Sequence, residues 1–264
     1  MQLIIPAYNE ERRIQATLKS LRSYALSTAE LPRPPLEVLV VDNASTDDTA
    51  RVALTMDSPA MPVRVLRCEE RGKGAAVRAG IAVTTSDVVG FMDADGATGL
   101  AAFESAAALL ASGAEVVIGS RSAAGSRTEH RHTRIRAAGA AAYRRATALL
   151  VPDIGDTQCG FKIMRGDVAR HVFAACRTRG FSFDVEFLAR CRQQGARVVE
   201  FPVDWSDVPG STFSPLRHGL RSFADLVAIA WRIWRRPSVR TAQVTSLHTA
   251  PIAEDPRVGL VGGA

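Results

Sequence analysis

Little in this chain would staple it together or anchor it. Its four cysteines, at positions 68, 159, 176 and 191, form no Cys-x-x-Cys pair. Free and mostly buried thiols in a reducing compartment are the simplest account. No run reaches 18 apolar residues and no signal peptide precedes the first apolar stretch, so the expectation is a cytoplasmic protein without a spanning helix. Aromatic residues make up only 6% of the chain. Gly-x-Gly-x-x-Gly does not follow the first predicted strand, which runs instead into "PAYNE", and this excludes the dinucleotide fingerprint. "RGKGAAVRAG" lacks both the Walker spacing and a Ser or Thr after its lysine. The five histidines have no metal spacing beyond a His-x-His at 130 and 132, which reads as solvated in so basic a segment. No Ser-His-Asp or Cys-His arrangement stands out.

What is present suits one α/β protein with a real core. The 264 residues are 47% hydrophobic, rich in alanine, valine, leucine and glycine. Net charge is +6, and the basic residues are almost all arginine, in two clusters. Residues 121 to 145 carry seven arginines and one acid, Glu129; residues 217 to 240 carry six against Asp225. One such cluster reads equally well as a solvated helix face, whereas two point toward an anionic partner. No recognised nucleic-acid motif accompanies them, so nucleic acid is not an expected partner.

Strand and helix alternate from residue 1 to about 121. The strand at 36 to 41 is apolar except at Glu37 and reads as central and parallel. Asn9 and Ser45 are placed to cap the helices that follow the first two strands. Further strands are expected at 63 to 67, 87 to 92 and "AEVVIGSR", with a helix entered through the glycines of "RGKG". This predicts a doubly wound, mostly parallel α/β sheet whose ligands gather at the carboxyl ends of its strands. A helix near 184 to 194, a strand at 197 to 201 and a basic aromatic helix follow.

Three aspartates fall at or just after strand ends: Asp42, Asp93 and Asp95. Asp42 alone also fits an ordinary turn. Asp93 and Asp95 lie two apart, so in an extended segment both carboxylates face one way. Two such charges raise one another's pKa unless a cation or base lies between them. Magnesium or manganese needs few protein ligands when substrate phosphates supply the rest. A solvent-exposed acidic turn is the alternative.

The ordered pieces "LIIPAYNEE", "VLVVDNASTDDT", "RGKGAAVRAG", "FMDADGAT", "IGSR" and "DTQCGFK" resemble the inverting family 2 glycosyltransferases of GT-A fold. The likeness spans roughly residues 1 to 215 and is greatest to the branch that moves glucose from UDP-glucose to dolichyl or polyprenyl phosphate. It implies a nucleotide-sugar half at 1 to 121 and an acceptor half at 122 to 215. It further implies Pro6, Ala7, Tyr8 and Glu10 beside the uridine, Asp42 on the uracil, and Lys73 close to the nucleotide. By the same resemblance Asp93 and Ala94 lie near the ribose or sugar, and Asp95 holds Mg2+ or Mn2+ on the diphosphate. Ala97 stands where mannose-transferring members often have glutamine, which favours glucose.

An anomeric carbon is attacked more readily when charge on the leaving diphosphate is stabilised, and Arg121 is a candidate to assist. A hydroxyl acceptor would need a base, for which the resemblance nominates Asp156. A phosphate acceptor would already be charged, and Asp156 and Gln158 would then shape the sugar and acceptor pocket. Arg131 and Arg134, in the first cluster, would meet a phosphate headgroup, which tips the expectation toward polyprenyl phosphate; a soluble hydroxyl acceptor, or binding without catalysis, is the alternative. Glu186 and Trp205 are further candidates for the acceptor and sugar pocket, each with an equal reading as helix charge or core. Residues 216 to 240 suit a basic amphipathic helix on the inner membrane surface or packed on the domain. Residues 241 to 264 read as a poorly ordered tail.

Overall fold

The computed structural model describes residues 1–30, 35–129, 134–208, 215–235 and 244–246. In the first half, β1 (Gln2–Ala7), α1 (Ile14–Ser27), β2 (Glu37–Asp42), α2 (Thr49–Leu54), β3 (Val63–Arg67), α3 (Lys73–Ala82), β4 (Val88–Phe91), α4 (Ala102–Ala111) and β5 (Val116–Ser120) alternate. The second half adds β6 (Arg127–Glu129), α5 (Arg134–Ala148), β7 (Lys162–Arg165), α6 (Gly166–Ala175), α7 (Phe183–Gln193), β8 (Val198–Pro202), β9 (Asp204–Ser206), α8 (Pro215–Trp234) and β10 (Val244–Ser246). The main sheet runs β10-β8-β5-β7-β4-β1-β2-β3, and β6 pairs with β9 in a separate ribbon.

β1 and β2 are apolar because both of their faces are covered by helices. Leu3, Ile4 and Ile5 are wholly buried, as are Val40 and Val41. Burying each such side chain contributes about 1.5–3 kcal/mol before entropy is counted. Ile4 and Val41 face a core that includes Val77 and Ile81 of α3, while Leu3, Ile5 and Val40 face one that includes Leu18 and Leu21 of α1. β1, β2, β3 and β4 run parallel, so their carboxyl ends share one edge.

β7 is antiparallel to both β4 and β5. It was not anticipated from the sequence, and it joins the two halves in one sheet. β10 adds three residues beside β8, where the sequence suggested only a loose tail; residues 247–264 lie outside those described. Neither anticipated cap forms. Helix α1 begins at Ile14 without a side-chain cap, and Asn9 instead accepts the Thr46 amide at 2.9 Å. Ser45 likewise accepts the Asn9 amide at 3.0 Å, so the two polar residues tie the ends of β1 and β2 together.

Candidate active site

A cleft of about 350 Å³ opens at the carboxyl ends of β1, β2 and β4. Pro6, Ala7, Tyr8 and Glu10 come from the end of β1, Lys73 from the start of α3, and Asp93, Ala94 and Asp95 from the turn after β4. Those eight were singled out in the sequence. Arg13, Asn43, Arg71, Gly72 and Phe181 also line the cleft and were not.

The approach to α3 is set by Gly72, whose φ of +128° disfavours any side chain. Its amide donates to Asn43 Oδ1 at 2.7 Å, and a Cβ there would lie 2.2 Å from the Arg179 carbonyl. Asn43 donates in turn to the Glu70 carbonyl at 2.7 Å, fixing the loop that delivers Lys73. The signal for Asn43 was its place directly after Asp42 at a strand end. Phe181 arrives from a distant segment and carried no local signal.

The two aspartates do not share one extended strand. β4 ends at Phe91, and the chain turns, with the Gly96 amide reaching the Asp93 carbonyl at 3.3 Å. Their carboxylates consequently have different partners. Lys73 Nζ stands 2.5 Å from Asp93 Oδ1. Burial would raise the Asp93 pKa, but the charge and hydrogen bond of Lys73, with the charges of Lys162 and Arg121, together hold the group below the usual carboxylate range. Asp95 is raised, by burial and then by the charge of Asp93. Among the described residues its carboxylate accepts only the Ala97 amide, at 3.1 Å to Oδ1. Asp93 is thus answered by Lys73, whereas Asp95 has no ion pair among the described residues.

Also on the cleft wall, Arg13 grips Glu10 through Nε and Nη2 at 2.7 and 2.6 Å. Arg13 Nη1 is buried with no partner among the described residues. Such an orphan donor is costly unless a ligand oxygen meets it. Arg13 lies three residues after Glu10, a helical spacing that could have drawn attention to it. Among the described residues no three His, Cys, Asp or Glu side chains gather as a metal cage. The donors present therefore fit a Mg2+ or Mn2+ ion that takes Asp95 and draws its other ligands from a diphosphate and water.

Asp42 lies just behind the cleft and is 1% exposed. It accepts the Ser45 amide at 3.1 Å and Arg67 Nη1 at 2.8 Å, so Asn43, not Asp42, forms the visible wall. On the other side, Asp156 is held by Arg121 through Nε at 2.7 Å, Nη2 at 2.9 Å and the backbone amide at 3.0 Å. Burial would raise the Asp156 pKa, and the Arg121 hydrogen bonds outweigh it, leaving the group lowered. Glu200 receives the amides of Gly155 and Asp156 at 2.9 and 2.8 Å. The Arg121 guanidinium rests 5.5 Å from the centre of the half-buried Trp205 ring. Gln158 donates to the Phe181 carbonyl at 3.4 Å, linking this loop to the cleft wall. A Cβ on Gly160 would lie 2.1 Å from Asp93 Oδ2, so any other residue there would displace the Asp93 carboxylate.

Glu186 is placed elsewhere. It is wholly buried in α7, accepting the amides of Arg177 and Thr178 at 2.9 and 2.7 Å and Arg190 Nη2 at 2.8 Å. Its carboxylate is consumed in holding the 177–178 backbone, which removes it from the acceptor pocket. Arg131 lies outside the described residues; Arg134 opens α5, but its side chain is not among those described.

A mixed, mostly parallel α/β sheet with a charged cleft at the carboxyl ends of its strands is the arrangement a GT-A type fold presents. The Glycosyl transferase family 2 profile matches residues 2–173. The chain belongs to this family, and it is a glycosyltransferase. It is 31% identical to a dolichyl-phosphate beta-glucosyltransferase of Trichomonas vaginalis, over 86% of this chain and 69% of that one. With the Drosophila melanogaster dolichyl-phosphate beta-glucosyltransferase it shares 32% identity, covering 88% and 77%. Among solved structures, it resembles glucosyl-3-phosphoglycerate synthase from Mycobacterium tuberculosis in complex with Mn2+, UDP and glucosyl-3-phosphoglycerate. That match has a TM-score of 0.60 and 20% identity, covering 92% of this chain and 87% of that one.

Proposed function

We propose that this chain transfers a hexose, glucose by preference, from a UDP-sugar to a phosphate-bearing acceptor, with Mg2+ or Mn2+ on the donor diphosphate. The split acid pair carries the reading: Lys73 neutralises Asp93 while Asp95 is left raised and open to the cleft. A divalent cation held there would stabilise charge on the departing diphosphate. Arg13, a cleft-lining residue held by Glu10, adds positive charge beside the same site. The acceptor oxygen attacks the anomeric carbon from the face opposite the diphosphate, the bond to UDP breaks, and the configuration inverts.

Asp42 reads the uracil in this account. Arg67 is 54% exposed and can move into solvent, and the ring N–H would then have to take its place on the buried Asp42 carboxylate. Asp42→Ala should weaken UDP and UDP-glucose alike by roughly 10- to 100-fold, the worth of one hydrogen bond to a charged group. Metal dependence should persist. Calorimetry showing unchanged UDP affinity in a variant that melts normally would exclude Asp42 from the nucleobase site.

Two acceptor oxygens are compatible with a phosphate-bearing acceptor. A hydroxyl on a soluble phosphate ester is supported by the fold shared with glucosyl-3-phosphoglycerate synthase, which has also been seen with phosphoglyceric acid. A lipid phosphate oxygen is supported by the names of relatives near 30% identity and by Asp156, whose lowered pKa makes it a weak base while Arg121 holds it. Substrate likeness in solved complexes weighs toward the hydroxyl; the lipid phosphate remains the second reading. Mass spectrometry of reactions offering UDP-glucose and Mn2+ with either phosphoglycerate or polyprenyl phosphate separates them. A soluble glucoside, with Asp156→Ala rescued by small carboxylates, would establish the hydroxyl chemistry and Asp156 as base. A glucosyl phospholipid without such rescue would establish the other. Transfer only to hydroxyl compounds without phosphate would contradict the proposal.

A further inference from the structure

The C-terminal helix α8 has two apolar faces, and the fold uses one. Leu226 and Ile229 are 6% and 0% exposed and join the core, while Ser222 is buried beside them. On the outer side stand Phe223, which meets the Tyr143 ring of α5 edge-on at 5.7 Å, and Val227, Trp231 and Trp234; the four are 39%, 73%, 57% and 78% exposed. Their spacing of four, four and three residues makes a single stripe along the helix. Core packing does not account for these tryptophans, because the inward face is already complete without them.

We propose that this outer face of α8 docks on an anionic lipid surface. Large apolar side chains on one face, bordered by arginines, are what a helix lying in a bilayer interface requires. Arg221 and Arg235 are exposed near the two ends of the stripe. The Arg235 guanidinium lies 4.2 Å from the centre of the Trp231 ring, an arrangement that keeps its charge at headgroup level while the indole enters the apolar boundary. The single acid of residues 221–235, Asp225, is half-buried and approaches Gly180, so it does not oppose an anionic surface. A second copy of this chain is a poorer occupant. Antiparallel two-fold pairing of the stripe would bring Arg221 of one copy toward Arg235 of the other.

The placement has a consequence for the cleft. Arg232 Nη2 donates to Thr178 Oγ1 at 2.9 Å, and Ser182 donates to the Ser222 carbonyl at 3.2 Å. Between these anchors lies Phe181, on the cleft wall. Docking through α8 would therefore bring a cleft-lining segment close to the lipid surface. The inference stands apart from the choice of acceptor oxygen, since a soluble acceptor can also be glycosylated at a membrane.

Co-sedimentation of the full chain with vesicles of phosphatidylcholine alone, or with one-third phosphatidylglycerol, tests it. Binding to the anionic vesicles is expected at low salt, weakening as salt rises. The variant Trp231→Ser/Trp234→Ser should reduce the partition coefficient by about tenfold or more. Arg221→Gln/Arg235→Gln should remove most of the preference for anionic lipid. Both variants should keep the parent's melting curve and UDP affinity, because none of the four side chains belongs to the cleft. Three results would each overturn the proposal. These are absence of vesicle binding, binding unaffected by either variant, and a parent dimer in sedimentation velocity that the tryptophan variant dissociates.

Discussion

Asp95→Asn is expected to lower sugar transfer by at least about 10²-fold while leaving the fold intact, the scale of losing a principal electrostatic stabiliser. The expectation follows from the division of charge in the cleft. Lys73 answers Asp93, while Asp95 has only one backbone amide and a raised pKa. Asparagine preserves that amide contact and the side-chain shape, removing only the charge. Burial of Asp95 is incomplete, so the variant should melt at or slightly above the parent temperature, because repulsion with Asp93 is relieved. Activity within about threefold of the parent at saturating manganese would move the metal away from Asp95, since that is far less than such a stabiliser contributes.

Lys162→Met should cost roughly 3–5 kcal/mol of stability, a large part of the whole for a domain of this kind. Lys162 lies in the central antiparallel strand β7 and is wholly buried. Its three donors reach Asp184 at 2.6 Å, the Cys159 carbonyl at 2.7 Å and the Thr157 carbonyl at 3.2 Å. Methionine fills similar volume and supplies none of them, leaving Asp184 at 2% exposure without its lysine, so that it must either bear an uncompensated charge or take up a proton. Lys162→Met/Asp184→Leu should recover part of the loss, since removing both charges removes the uncompensated one. Because the two carbonyls flank Gln158 in the loop carrying Asp156, the variant should also lose turnover more than donor affinity. Urea unfolding gives the stability directly. A loss under about 1 kcal/mol would show that water or a neighbour replaces the lysine.

Much of the sheet was legible because its strands are governed by burial. The apolar runs of β1, β2 and β5 need no partner to announce central strands. β7 was hidden because Lys162 interrupts its apolar character, and the buried pair that accommodates it is formed with Asp184, 22 residues away. Local rules also lost to tertiary contacts at the first two turns, where Asn9 and Ser45 bond across strands instead of capping helices. At the site, strand-end position was enough to mark Asp93 and Asp95, and the family resemblance marked Lys73; both aspartates do line one cleft, but from a turn and not from an extended strand. For Glu186, read equally as an acceptor-side or a helix charge, the structure gives the second, and Arg190, four residues on, offered the signal of a helical ion pair. Phe181 could not have been found, since only the packing of the 177–182 segment against Gly72 and Gly74 brings it to the cleft.

The central claim, that this cleft holds a UDP-sugar diphosphate through a cation on Asp95, is tested most directly by anomalous diffraction from crystals containing UDP and Mn2+. The account predicts one manganese peak within coordinating distance of an Asp95 oxygen, with the diphosphate completing its ligands and Lys73 still beside Asp93. A manganese peak remote from Asp95, or UDP bound in this cleft with full affinity and no metal, would contradict it.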